Sequence, residues 1–259
     1  MNIEYFTPPP HLPTSQHCQN IKYPNFLVNA YLQYDLYRFS IKEKPSKKPL
    51  LESKTNNESI PKVLHYCWFG KTTMPEWRQK NLDNWRNFLP EFKIVRWDES
   101  NFPIHLYPYA EQAYSKGLYA FVSDAARLHA IYHYGGIYLD TNNEILKPHP
   151  FDDLLSLGCF ASFEAPTQIT IQSVGAIEKH PFISLLLDFY KFINLRSVYR
   201  YTANVRFISK LVRLFYKQKL DGKKLVLPDG AVILPRELLT PKIITEESRI
   251  FHHFGGTWR

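Results

Sequence analysis

From Ile60 onward, short apolar runs of strand length alternate with longer runs of helical period, and this alternation most constrains the fold. Residues 63–69 read as a first strand ending at Gly70, and 92–97 as the next. Between them, 75–88 reads as a helix with Trp77, Leu82, Trp85 and Phe88 on its buried face. Helical patterns at 109–114 and 121–134 follow, the second closed by Gly135-Gly136, and 137–140 is again strand-like. Further strands are expected at 159–164, 169–176 and 232–235, with amphipathic helices at 180–194 and 205–217. Strands separated by helices call for a parallel or mixed sheet covered by helices, the α/β class.

Residues 1–58 have a different texture. Pro8-Pro9-Pro10 and Pro13 open the segment, 23–39 is rich in aromatic residues, and 40–59 is polar and lysine-rich. Residues 26–37 carry apolar side chains at helical spacing that suit docking on a larger body. We therefore divide the chain into an N-terminal accessory segment, 1–58, and a main domain, 59–259.

The formal charge of +8 and pI near 9.2 favour anionic partners: nucleic acid, anionic lipid or phosphorylated small molecules. The densest basic patch, 42–48, is broken by Glu43, Pro45 and Ser46, which makes nucleic acid the weakest of the three. Cys18, Cys67 and Cys159 have neither metal-ligand spacing nor the even count of a disulfide framework, as suits a cytoplasmic chain. No stretch approaches the roughly 18 apolar residues of a membrane span, so membrane contact is expected to be peripheral.

The segment after Gly135-Gly136 carries the chemistry. Ile137-Tyr138-Leu139 leads into Asp140, Asn142 and Glu144, which on an extended strand would share one side. Three oxygen donors outside the carboxyl end of a strand suit Mn²⁺ or Mg²⁺, whose remaining ligands are often phosphate oxygens of a bound nucleotide.

Four segments, in order, carry a family likeness: Ile60-Pro61-Lys62-Val63-Leu64-His65-Tyr66-Cys67-Trp68-Phe69-Gly70; Ala120-Phe121-Val122-Ser123-Asp124-Ala125-Ala126-Arg127-Leu128; Tyr134-Gly135-Gly136-Ile137-Tyr138-Leu139-Asp140-Thr141; and His252-His253-Phe254-Gly255-Gly256-Thr257-Trp258. Together they resemble glycosyltransferase family 32. This group includes the yeast initiating α-1,6-mannosyltransferase and bacterial capsular polysaccharide sugar transferases, and the clostridial glucosylating toxins are more distantly similar. The resemblance implies a GT-A fold, a Rossmann-like mixed sheet flanked by helices. It also implies a UDP- or GDP-sugar donor, a glycan acceptor, a divalent metal and transfer with retention of configuration. An unsignalled chain of this kind fits the capsular or surface-polysaccharide members best, with no nucleic-acid partner.

The resemblance also distributes roles. Trp68 would stack on the donor base, and Ser123, Asp124 and Arg127 would hold the donor sugar. Asp140 would contact metal or ribose, with Asn142 and His252 as further metal ligands, while Thr257 and Trp258 would close over the diphosphate. Gln172 and Ser173 fall where the family builds its acceptor side. Asp140, Asp124 and Arg127 form the expected catalytic set. Asn142 stands where the family usually has a second Asp, so a nucleotide-sugar-binding protein with weak or no transfer is the alternative. His65 is expected to be a packed strand residue.

Overall fold

The computed structural model describes residues 35–42, 59–195 and 204–253. The expected strand and helix order is present. Strands β1 (Val63–Cys67), β2 (Lys93–Trp97) and β3 (Gly136–Leu139) are separated by helices α2 (Glu76–Phe88), α3 (Pro108–Tyr114) and α4 (Tyr119–Tyr134). Helix α1 occupies residues 35–42. After β3 come β4 (Asn143–Ile145), β5 (Cys159–Ala165), β6 (Gln168–Ala176), α5 (Pro181–Phe192), α6 (Asn204–Phe215), β7 (Leu225–Val226), β8 (Val232–Leu234), α7 (Arg236–Leu239) and β9 (Ile250–His252). Sequence pattern does not disclose β4, β7 and β9, which have only two or three residues each and are too short to show a period.

One seven-stranded sheet runs in the order β2-β1-β3-β6-β5-β8-β7. It is mixed: β1 is parallel to both β2 and β3, while β6 is antiparallel to its neighbours β3 and β5. The chain passes from β1 outward to β2, then returns across β1 to β3. The strand order therefore reverses between β1 and β3, where open α/β sheets bind ligands beyond the strand carboxyl ends. Trp68 and Asp140 directly follow those two strands.

Two apolar cores sandwich the sheet. On one side α3, α4, α5 and α6 contribute Tyr109, Leu128, Phe189 and Phe207; on the other, α2 contributes Leu82 and Trp85. Trp77 departs from the expected buried face of α2: it is 40% exposed, because that face is narrower than four aromatic and aliphatic residues suggest. Helix α1 packs Phe39 against Phe189, Phe192 and Phe215, so this part of the N-terminal segment completes the aromatic layer over α5 and α6.

Helix α4 ends at Gly135, whose N–H returns to the Ile131 carbonyl, and β3 begins at once. Gly136 has φ +100°, and a Cβ there would meet the Val63 carbonyl oxygen at 2.5 Å. The close approach of β3 to β1 thus requires glycine. Gly136→Ala is expected to destabilise the fold by more than about 1 kcal/mol, since strained backbone adds to the clash. Chemical denaturation would show a lower midpoint; an unchanged midpoint would refute this account. His65 donates from Nε2 to the Gly135 carbonyl and accepts from the Trp97 indole, so both ring nitrogens serve the same junction and His65 is structural.

Candidate active site

Arg127 is the hub of the site. Its guanidinium is buried, with Nη2 3.1 Å from both Asp124 Oδ1 and Asp140 Oδ1. Nε donates to the Ser123 carbonyl, Nη1 to the Ile171 carbonyl, and the group lies 4.6 Å from the centroid of the Tyr138 ring. A planar fork can satisfy so many acceptors; a lysine cannot. Burial works against the Arg127 charge, but the surrounding anionic groups, Asp140 first, outweigh it and hold the guanidinium charged.

Asp124 and Arg127 lie one turn apart on α4, which makes their pairing local. The helix begins at Tyr119 with no side-chain cap, so Ser123 and Asp124 are not capping residues as their place in the helical pattern allows. Ser123 instead donates from Oγ to the Tyr119 carbonyl. Asp124 also accepts from Asn204 Nδ2 at 2.7 Å, which ties the first turn of α6 to the site. Asn204 is 80 residues away, and no spacing in the sequence points to it.

Burial pushes the Asp124 carboxyl up to about 6, against the opposing pull of Arg127 and Asn204. Its ordinary value is 3.8, so between those limits the folded protein keeps a proton that the unfolded chain releases. Stability from this group is therefore greatest on the acid side and falls as pH rises through that window. Asp124→Asn is expected to flatten this slope and to melt no lower than the parent above pH 6, while turnover falls. Parallel melting curves from pH 4 to 7 for parent and variant would refute the assignment.

Asp140 accepts from the Tyr138 hydroxyl at 2.8 Å in addition to its contact with Arg127. Alternation along β3 places Tyr138 and Asp140 on one side, a legible signal not taken up in assigning roles. The alternation does not continue. Asn143 N–H closes a turn onto the Asp140 carbonyl, so Asp140, Asn142 and Glu144 do not line one extended edge. Asn142 donates from Nδ2 to the His253 carbonyl, and Glu144 meets His253 Nε2 at 2.9 Å. The fully buried Asn143 donates to the Gln172 carbonyl and, at 3.3 Å, to Ser173 Oγ.

A second set of contacts holds this turn from α2. Arg78 donates to Thr141 Oγ1, Asn81 to the Thr141 carbonyl, Trp85 to the Asn143 carbonyl, and Asn84 both donates to and accepts from Ile145. Positions 78, 81, 84 and 85 recur at helical spacing, so one face of α2 clamps the loop. Sequence patterning marked Trp85 only as core and left the polar three unassigned. Arg78 further lies 5.3 Å from the Trp68 ring centroid and faces Asp140 electrostatically. Trp68 is half-buried, with its indole N–H donated to the Thr72 carbonyl.

The C-terminal part of the chain returns to this place. Strand β9 pairs antiparallel with β4, with His252 opposite Asn143. Of the two histidines, His252 is the buried one; burial lowers its pKa to about 4 despite nearby Asp140, so its ring is neutral near pH 7. Thr257 and Trp258 lie outside the described residues. On β6, Gln172 gives its carbonyl to both the Asp140 N–H and Asn143, while its buried Nε2 has no hydrogen-bond partner among the described residues. Glu164, on β5, is raised above the ordinary carboxylate range by burial, opposed by Thr170 and Arg236.

The donor chemistry bears on metal binding. Among the described residues, both side-chain contacts of Asp140 fall on Oδ1, and Oδ2 has no partner there. Asp140 and His252 form no ready-made cluster of three or more His, Cys, Asp or Glu ligands among those residues. One carboxylate, a neutral imidazole and an amide oxygen do fit Mg²⁺ or Mn²⁺, provided that donor phosphates supply the rest of the shell.

Residues 75–161, from the start of α2 into β5, match the family described as "Glycosyltransferase sugar-binding region containing DXD motif". The matched stretch includes Asp140-Thr141-Asn142. The chain is 31% identical over 142 residues to inositol phosphoceramide mannosyltransferase 1 of Schizosaccharomyces pombe, a match covering 49% of this chain and 41% of that protein. It is 26% identical over 165 residues to mannosyl phosphorylinositol ceramide synthase SUR1 of Saccharomyces cerevisiae, covering 59% of this chain and again 41% of the relative. The chain thus spans about two-fifths of the length of these relatives. Among solved structures it resembles PaToxG Glycosyltransferase, with a TM-score of 0.51 and 17% identity over 74% of this chain and 80% of that one. This likeness concerns the fold, which is the GT-A type expected from the sequence.

Proposed function

We propose that this protein is a retaining glycosyltransferase that moves a hexose from a nucleotide-sugar to an acceptor hydroxyl. The observation that carries the reading is the Asp124–Arg127–Asp140 triad at the carboxyl end of β3, inside the stretch that matches the sugar-binding region. Residues 59–259 would form the catalytic domain and 1–58 its accessory segment.

In this reading Asp124 and Arg127 bind sugar hydroxyls as a fixed acceptor and a forked donor. Trp68, at the adjacent strand end, stacks on the base. Asp140, Asn142 and His252 would hold Mn²⁺ or Mg²⁺, which when bound stabilises the charge that develops on the leaving diphosphate. Thr257 and Trp258 would cover that diphosphate. The acceptor hydroxyl attacks the anomeric carbon on the face that the diphosphate leaves, and its proton passes to a leaving phosphate oxygen. Gln172, through an Nε2 unpartnered among the described residues, would orient the acceptor, while the fully buried Ser173 would act on it only through Asn143.

The names of the relatives shift the expected acceptor. They speak of mannose and inositol phosphoceramide, so a mannosyl donor and a sugar or polyol carried on a lipid phosphate suit this chain better than the capsular glycan expected from the sequence. Among the described residues no helix is long and apolar enough to cross a membrane. A peripheral enzyme at the cytoplasmic face fits this arrangement.

A screen of UDP- and GDP-sugars for release of free nucleotide, with Mn²⁺ and with chelator, tests the reading. One donor is expected to be turned over, with Trp68→Ala raising its KM about tenfold or more, as loss of one stacked base suggests. Tight donor binding without turnover would favour the sugar-nucleotide-binding alternative, in which the uncharged Asn142 gives too weak a metal site.

A further inference from the structure

Much of the chain's positive charge sits in one place. Between Asn204 and Val226 there are seven Lys or Arg residues and one Asp, a formal +6 beside +8 for the whole chain. On α6, Arg206, Lys210 and Arg213 recur at four- and three-residue steps, and Lys217 continues the line, so they form one stripe. The opposite face of the helix is fully used: Val205, Phe207, Ile208, Leu211 and Val212 are buried.

The loop after α6 extends the same surface. Arg213 donates to the Thr167 carbonyl, and Gly222 lies so close to the same hairpin turn that a Cβ would meet Pro166 Cα at 3.0 Å. This brings Lys223 and Lys224 beside the helical stripe. Among the described residues, no carboxylate forms a salt bridge with Lys210, Lys217 or Lys219. Burial, then Arg206 and Arg213, lower the Lys210 pKa, as expected where positive charge is crowded.

The exposed apolar groups in this region are aliphatic: Leu214 is 45% exposed on the helix flank and Val226 is 59% exposed on the sheet-edge strand β7. The region's aromatic residues are turned inward, with Phe207 and Tyr216 buried and Phe215 packed on Phe39. Single-stranded nucleic acid is gripped by exposed rings, whereas anionic bilayers attract lysine and arginine and accept aliphatic side chains between headgroups.

We propose that the exposed face of α6, with the loop that follows it, docks the protein on an anionic lipid bilayer. The inference deepens the lipid-acceptor reading and rests on it for its purpose. Asn204, in the first turn of α6, bonds directly to Asp124, and Arg206 lies in that same turn. One helix thus joins the bilayer surface to the donor-sugar site and would present headgroup acceptors at its mouth.

The test is co-sedimentation of the full chain with phosphatidylcholine vesicles and with vesicles containing about one-third phosphatidylserine. Binding to the anionic vesicles alone is expected, and half-molar salt should abolish it. The Lys210→Ala/Lys217→Ala/Lys219→Ala variant should bind at least tenfold more weakly, since each juxtamembrane cation contributes about a fivefold factor. Leu214→Gln, which removes the aliphatic group without adding charge, should weaken vesicle binding but leave heparin retention within about twofold of the parent. Equal pelleting of parent and triple variant, or an oligonucleotide affinity exceeding that for vesicles, overturns the proposal. Donor hydrolysis in vesicle-free solution is followed in parallel. If hydrolysis fails while vesicle binding persists, the enzymatic reading falls and the docking surface stands.

Discussion

Arg127→Met is expected to abolish donor turnover, with a loss of at least about 10³-fold, and to lower stability by roughly 3–5 kcal/mol. The stability loss has a specific source. Asp124 is buried and Asp140 partly so, and without the guanidinium two carboxylates would face each other with only neutral donors, Asn204 and Tyr138, between them and the protein interior. The Ile171 carbonyl would also lose its Nη1 donor. Arg127→Lys should recover part of the stability, because one ammonium restores the charge, but little activity, because it cannot reproduce the fork. Thermal melting and nucleotide release separate the two effects. An Arg127→Met protein that melted like the parent and kept turnover within tenfold would remove the triad from the proposed site.

How this triad was legible is instructive. Asp124 and Arg127 are three residues apart in a helical pattern, and Asp140 follows a strand that opens on two glycines; local period and punctuation place them on their elements, and the family resemblance gives them their roles. The main strands were legible along the chain because β1, β2, β5 and β6 are long enough to show a pattern. What local reading missed depends on contacts distant in sequence. Asn204 reaches Asp124 across 80 residues, and Arg78, Asn81 and Asn84 reach the Asp140–Ile145 loop from a helix that precedes it by about sixty. The assumption that β3 ran on through Glu144 failed because a tight turn at Asp140 ends the strand. That turn gives Asn142 and Glu144 to β9 instead, so the residue expected as a metal ligand also anchors the C-terminal strand.

Asp140→Asn is expected to lower turnover by about 10³-fold with a much smaller loss of stability than Arg127→Met causes. An amide oxygen can still accept from Tyr138 and Arg127, so the packing around the turn persists, and Arg127 keeps Asp124 as its counter-charge. What disappears is the negative charge that faces both the guanidinium and the proposed cation. If Asp140 acts through the metal, raising Mn²⁺ should recover part of the activity. If it acts only by orienting Arg127, metal concentration should have no effect. Asn142→Asp supplies the complementary arm. A second carboxylate beside Asp140 should lower the Mn²⁺ concentration needed for half-maximal turnover by about tenfold, provided the His253 carbonyl tolerates loss of its donor. Combining Asn142→Asp with Asp140→Asn moves the charge two residues along the turn. Activity restored by that double variant would mean that the site needs one carboxylate near the diphosphate rather than this particular one, whereas an inactive double variant with a normal melt would place the requirement on Asp140 itself, through its shared contact with Arg127.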